Sequence, residues 1–462
     1  MKQDTSATGR SPRRGRMILV AVVVALAALA VWKLIDYRSE PPVPTFVSTP
    51  ERVDALRYLN EAKNSANAAG NDGSIMGDIA AWQTTAGDLA AARVTAKAIK
   101  EEGERSFAWI KISAAQMEMG DLGGARATVK VLGSGAEEFI EEAWAVVAAA
   151  QAKAGNIAGA RATTSAITQD PFKIIALAEI AAAQAKAGDR AGANQTFAEA
   201  ESLANALEDA FGKNSALLDL TFALAKSGDV PKARITAGRI TGIDRATSLQ
   251  AIATAQARAG DVAGAKATAN EISGNGADAI TNSYYKVLAL RDVALAQARA
   301  GDQPGASQTF DDAKAAIDPR TSDVSRMGAL REIAVAQAKA GDVPGAKATL
   351  KAVTDNDSKA SSVLGAIAAA QAKAGGLAEA KATLATIVAD RLNNNLLGSF
   401  AAVIRAQAGL EGFPATELWV QALGEPKART LYYIALAKAR LNPSAPESDE
   451  SEDEDKPGQI PH

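Results

Sequence analysis

Two patterns of apolar residues divide the chain. Between Met17 and Trp32 every residue is apolar, MILVAVVVALAALAVW, and with Leu34 and Ile35 the stretch reaches 19 residues, interrupted by Lys33 alone. At 1.5 Å per residue it would span about 28 Å, close to the ~30 Å hydrocarbon core of a bilayer. From residue 51 onward the apolar positions instead recur at three- and four-residue intervals in short blocks, as in Leu330, Ile333 and Ala334, then Ala346, Leu350 and Val353. The first pattern predicts a transmembrane helix over residues 17–35. The second predicts many amphipathic helices, each with one apolar face that it cannot bury alone.

These helices belong to a repeat. The phrase AQAKAGD recurs with small variations, and its glycines, Gly87, Gly120, Gly155, Gly188, Gly228, Gly260, Gly301, Gly341, Gly375 and Gly409, are spaced by 33, 35, 33, 40, 32, 41, 40, 34 and 34 residues. An eleventh unit puts Asn442 at the same place, 33 residues further on. In the unit around Gly341, glycine can take the left-handed conformation that ends one helix, Asp342 can cap the next, and Pro344 fits the first turn, where a missing N–H is no loss. Pro231 and Pro304 hold the same place in their units. Each unit is thus expected to be a pair of antiparallel helices. The three longer units are expected to carry a longer second helix, as in Gln195 to Ala204 and Gln308 to Ala313. Pairs with one open apolar face must stack on their neighbours. The expected fold is all-α, a right-handed α-solenoid of about ten antiparallel helix pairs over residues 51–442, preceded by the transmembrane helix.

The spacing resembles the tetratricopeptide repeat, a helix pair with a Gly-Asp turn, then Ala, then an aromatic residue or Leu. Gly341, Asp342, Ala346 and Leu350 fall at those positions, as do Gly188, Asp189, Ala193 and Phe197. The resemblance covers residues 73 to 442. The large first-helix residues of that family are mostly Ala, Leu or Gln here, which leaves a HEAT-like variant open. The resemblance implies a concave groove that holds peptides.

The flanks differ from the body. Residues 1–16 form a basic N-terminus with Lys2, Arg10, Arg13, Arg14 and Arg16 against Asp4, which by the positive-inside rule lies in the cytoplasm. Residues 36–50 form a proline-rich spacer. The repeat region is then expected on the non-cytoplasmic side of a single-pass protein, periplasmic in a Gram-negative bacterium. Cleavage of a signal peptide at Ala28-Leu29-Ala30 is the alternative, giving a secreted or periplasmic soluble repeat protein. Residues 51 to 69 read as an opening helix stopped by Gly70, and Arg429 to Arg440 as a lone final helix. Residues 443–462 contain ESDESEDED and are too poor in apolar residues to fold by themselves.

Inventory narrows function. Cys is absent and the one His is His462. Cys and His nucleophiles, disulfides and Cys/His metal sites are thereby excluded, and no catalytic, cofactor or metal constellation is expected. The net charge of −3 hides opposite ends: residues 1–40 carry 7 basic and 3 acidic groups, residues 441–462 carry 1 and 7. What remains, 42 basic against 43 acidic, makes nucleic acid an improbable partner by bulk charge.

Columns of the repeat are therefore the candidate sites. Two positions before the anchor stands a cation in eight units: Lys153, Lys186, Lys226, Arg258, Arg299, Lys339, Lys373 and Arg440. By the resemblance this column faces the groove and would hold an acidic protein or peptide, the chain's own acidic tail included. A cation in a last helical turn is also favoured by the macrodipole, by roughly 0.3–1 kcal/mol, whatever it binds. Four before the anchor stands Gln83, Gln116, Gln151, Gln184, Gln256, Gln297, Gln337 and Gln371, either an amide ladder for a peptide backbone or a set of inter-repeat hydrogen bonds. A third column, fifteen before, includes Arg105, Lys173, Lys213, Arg245, Lys286, Arg326 and Lys427 and marks helix starts or a rim. Glu137, Glu138, Glu141 and Glu142 are the densest carboxylates and read as a helix start. The resulting expectation is a non-enzymatic, membrane-tethered scaffold or adaptor, with a self-assembling structural repeat protein as the alternative.

Overall fold

The computed structural model describes residues 49–70, 72–119, 121–129, 131, 137–273, 277–352, 360–387, 392–393 and 396–441. Among them every regular element is a helix, so the chain is all-α. The predicted transmembrane segment, the basic N-terminus, nearly all of the spacer and the acidic tail lie outside the described residues. Among the described residues no helix is long and apolar enough to cross a membrane.

After α1 (Pro50–Ala68) the helices come in pairs: α2 (Gly73–Thr85) and α3 (Leu89–Lys97), α4 (Glu102–Glu118) and α5 (Leu122–Val129), α6 (Glu137–Lys153) and α7 (Ile157–Thr164). The next pairs are α8 (Asp170–Lys186) and α9 (Arg190–Ala206), α10 (Ala210–Lys226) and α11 (Val230–Ala237), α12 (Ile243–Arg258) and α13 (Val262–Glu271). Then follow α14 (Ala277–Arg299) and α15 (Gln303–Ala315), α16 (Asp323–Lys339) and α17 (Val343–Lys351), α18 (Ala360–Lys373) and α19 (Leu377–Ala385). Last come α20 (Leu397–Gln421), which holds both helices of its pair in one run broken at Gly412, and α21 (Pro426–Leu441).

The turn within a pair follows from its sequence. At Gly341 φ is +83°, and the Asp342 N–H reaches back to the Gln337 carbonyl at 2.8 Å, closing the end of α16. The Asp342 carboxylate then accepts from the Gly345 N–H at 2.9 Å and starts α17. Gly120 lies outside the described residues. Gly409 is not a turn: it sits inside α20, and the positive φ falls at Gly412, +81°, where the helix breaks. The AQA phrase around Gln407 aligns Gly409 with the cation column and shifts the turn three residues on. Two of the longer units lengthen the second helix, α9 and α15, but the third puts its extra length in the first helix, α14, of 23 residues.

Each first helix packs on the next, α2 on α4, α4 on α6 and so on to α18 on α20 and α20 on α21. No comparable contact joins successive second helices. They meet through long side chains, such as Arg161 to Thr196 at 2.6 Å and Glu199 at 3.0 Å. A curved array is tighter on its inner layer, so the first helices form the inside.

The two ends of the array meet. Neither α1 nor α21 is a lone helix: they pack antiparallel along their length, and both also touch α2. Ala55, Tyr58, Leu59, Ala62 and Ala66 of α1 are buried in one core with Leu431, Tyr432, Ile434, Ala435 and Leu436 of α21 and with Ile75, Met76 and Ile79 of α2. The Tyr58 and Tyr433 rings stack at 6.3 Å, Arg440 pairs with Asp54 at 2.6 Å, and Arg57 binds Glu417, with the Arg57 Nη2 to Glu417 Oε2 distance 2.9 Å. The eleventh unit thus draws its first helix from the C-terminal end and its second from the N-terminal end, and the order of packing is cyclic.

Candidate functional site

The Gln column forms a clasp inside each unit. The Oε1 atoms of Gln83, Gln116, Gln151, Gln184, Gln256, Gln297, Gln337 and Gln371 accept from Thr95, Thr128, Thr163, Thr196, Thr268, Thr309, Thr349 and Thr383 at 2.6–2.8 Å. In five units the Nε2 also donates to the capping aspartate, as Gln116 does to Asp121 at 2.7 Å. The bonds run across the hairpin rather than between repeats, and all but Gln371 are buried. The amides are therefore spent in structure, and a peptide backbone cannot reach them. In those five units the position four after the turn glycine is itself glycine, and a Cβ at Gly345 would stand 1.9 Å from the Asp342 carboxylate; where Gln83 does not bond the aspartate, Ala91 takes that place.

Four of the seven cations fifteen before the anchor are structural as well. Arg105, Lys213, Arg245 and Arg326 donate to carbonyls of the segment that precedes their helices: Ile99, Asn205, Ala237 and Pro319 at 3.1–3.2 Å. Glu141 is buried, and its carboxylate accepts from the Thr168 hydroxyl at 2.7 Å and the Thr168 N–H at 2.9 Å, which holds the loop before α8. The side chains of Glu137 and Glu138 lie outside the description.

What remains open on each first helix is one stripe. In α8 the residues not buried after its first turn are Ile175, Glu179, Ala183, Ala185 and Lys186, while Ile174, Leu177, Ala178, Ile180 and Ala181 are buried. In α10 the stripe is Ser215, Asp219, Phe222 and Lys226. The cations two before the anchor lie on this stripe at the turn end of each first helix. Lys153, Lys186, Lys226, Arg258, Arg299, Lys339 and Lys373 are exposed. Arg440 is partly covered, paired with Asp54 and seated 4.1 Å over the Phe413 ring.

Two helical turns away on the same stripe is a row that the sequence reading did not single out. It holds Asp78, Lys111, Glu179, Asp219, Asp292 and Glu332. Its members are joined to each other and to the cations. Lys111 pairs with Asp78 at 2.6 Å, and Lys226 of the cation row pairs with Glu179 at 3.3 Å. Arg291 bridges Asp292 at 2.7 Å and Glu332 at 3.0 Å, while Asp292 also accepts from the Thr254 hydroxyl at 2.6 Å. Burial pushes the Asp219 carboxyl up to about 7, and the nearby charge of Glu179 adds to the shift. Four of the row's six members, Glu179, Asp219, Asp292 and Glu332, could have been found by counting seven residues back from Lys186, Lys226, Arg299 and Lys339, since two turns return to the same face. Among the described residues no group of His, Cys, Asp and Glu side chains is placed to hold a metal.

No family model matches the chain, and no curated protein matches it. Among solved structures, the crystal structure of Ton1535 from Thermococcus onnurineus NA1 is similar at a TM-score of 0.26 and 16% identity, over 69% of this chain and 95% of that one. An overlap that low carries no argument about fold or function.

Proposed function

We propose that the chain is a membrane-tethered, non-enzymatic scaffold, a tetratricopeptide-like α-solenoid whose inner face binds an acidic segment of a partner protein. One observation carries the reading. The open stripes of successive first helices line up, so the cations at their turn ends make an unbroken row over seven successive units, Lys153 to Lys373, while the Gln column is consumed by structure. Composition supports the absence of catalysis, since thiol and imidazole chemistry have no residues in the body of the chain. The apolar run 17–35 supports a single-pass anchor with the N-terminus in the cytoplasm and the array on the other side.

The test is proximity labelling from the intact, membrane-bound protein, repeated with Lys186→Glu, Arg258→Glu and Lys339→Glu combined. The reading expects a set of neighbours that the triple variant loses. Identical sets would contradict it. Self-assembly, the other class, predicts concentration-dependent light scattering from the full chain in detergent.

A further inference from the structure

Two neighbouring stripes of the inner layer carry the same order of side chains. In α14 the stripe runs Tyr284, Leu288, Asp292, Leu295 and Arg299, and in α16 it runs Val324, Gly328, Glu332, Val335 and Lys339. Both advance by four, four, three and four residues, which keeps them on one face of a helix. Val324 is 72% exposed, and Tyr284, Leu288, Leu295 and Val335 are half-buried, whereas Val287, Leu290 and Val293 of α14 and Ile333 of α16 are buried in the array. Between the two helices the stripes leave an apolar trough on the inner face.

The charges half-way along the trough satisfy each other. Arg291 joins Asp292 at 2.7 Å and Glu332 at 3.0 Å, and Arg331 joins Glu332 at 3.1 Å. An occupant needs no charge there. At the turn end it meets the exposed Arg299 and Lys339, which call for acidic groups.

Gly328 sets how closely an occupant comes. It lies in the second turn of α16, inside regular helix, and among the described residues a Cβ there would meet no atom within 4 Å. No neighbour requires glycine at this position, although glycine weakens a helix interior. A backbone laid against the trough from outside does require it.

An extended segment suits this wall poorly. The backbone groups of the wall are bonded within its own helices, and the amides of Gln297 and Gln337 are held in the clasps. Peptide groups pressed onto Leu and Val side chains would go unpaired, whereas a helix pairs its own. Size also permits a helix. Eleven first helices set side by side at about 9 Å make a circuit of roughly 100 Å and leave an opening of about 20 Å, while a helix is about 10–12 Å wide.

We infer that the trough between α14 and α16 seats an α-helix of the partner protein, apolar along one edge, with its backbone closest at Gly328 and acidic residues at the end beside Arg299 and Lys339. The inference rests on the inner face being the partner-binding face and gives that partner its form.

The test uses the full chain in membranes of its own host, with a photoreactive benzophenone side chain placed at Val324, at Val335 or, as a control on the outer helix α11, at the exposed Ile235. Crosslinked partner residues are located by mass spectrometry. Val324 and Val335 stand eleven residues apart on one helix, about 16 Å. A helix lying along the trough is therefore reached at positions roughly eleven residues apart, and an extended segment at positions roughly five apart. The inference expects the helical spacing within one partner segment. The extended spacing, or scattered positions, overturns it and keeps the inner face as a binding face. Labelling from Val324 and Val335 no stronger than from Ile235 overturns both readings.

A second variant probes the notch. Gly328→Leu fills space that the chain leaves empty, so helicity and the unfolding midpoint should not fall, while crosslinking from Val324 should drop about tenfold, as overpacking of a seated helix demands. Undiminished crosslinking from the folded variant overturns the inference.

Discussion

At the scale of single residues, stability depends on polar groups that satisfy each other out of water. In the unit around Gly341, Gln337 Oε1 accepts from Thr349 and its Nε2 donates to Asp342. Thr349→Val leaves a buried acceptor unpaired, and the expected cost is about 1–2 kcal/mol, read as faster hydrogen exchange in α16 and α17. The third unit shows the reverse case. There Asn156 replaces the capping aspartate, and the buried Gln151 Nε2 has no partner. Asn156→Asp should supply an acceptor and slow exchange in α6 and α7 by about 1 kcal/mol. Where Leu224 replaces the Gln, Lys232 stands in place of the clasp glycine, and Thr236 bonds the Lys232 carbonyl instead. The Gln column was readable in sequence, but its purpose was not. Its Thr partner lies twelve residues on, across a turn whose geometry only the folded hairpin sets.

At the scale of elements, periodicity told where helices lie but not every boundary. Counting glycines put a turn at Gly409, because the local phrase AQAG looks like the others. The helix runs on to Gly412 because Gly409 occupies a mid-helix column, and Pro414 then fits the first turn after the break. Trp419 stands where other units carry the clasp Thr, so the Gln407 Oε1 is buried without a partner. The first-helix stripe has its own consequence at Asp219. A carboxyl raised in the folded state favours folding fully below its unfolded value near 3.8 and loses that contribution as pH rises through about 7. Asp219→Asn should therefore stabilise α10 at pH 8 by about 1–2 kcal/mol, less than the whole shift because the side chain keeps some contact with water, and do nothing near pH 3. Urea titrations at the two pH values check it.

At the scale of the whole molecule, the array closes because each end lacks what the other has. Among the described residues α21 is followed by no second helix, and α1 is preceded by no first. The apolar face of α1, Ala55, Tyr58, Leu59 and Ala62, was legible as amphipathic, yet nothing local could show that its partner lies at the far end of the chain. Removing the seam should open it: Tyr58→Ala is expected to cost about 3–4 kcal/mol, with exchange rising first in α1, α21 and α2 rather than in α10 or α12. Closure also decides the site, since an open array would have a groove where a closed one has a mouth. The distance between the ends tests this most directly. Spin labels on Glu61→Cys in α1 and Gln421→Cys at the end of α20 should give one narrow distribution at about 15–25 Å, the width of two packed helices with their labels. A broad distribution centred well beyond that range would mean that the ends do not meet, and the ring and the inner face it frames would fall with it.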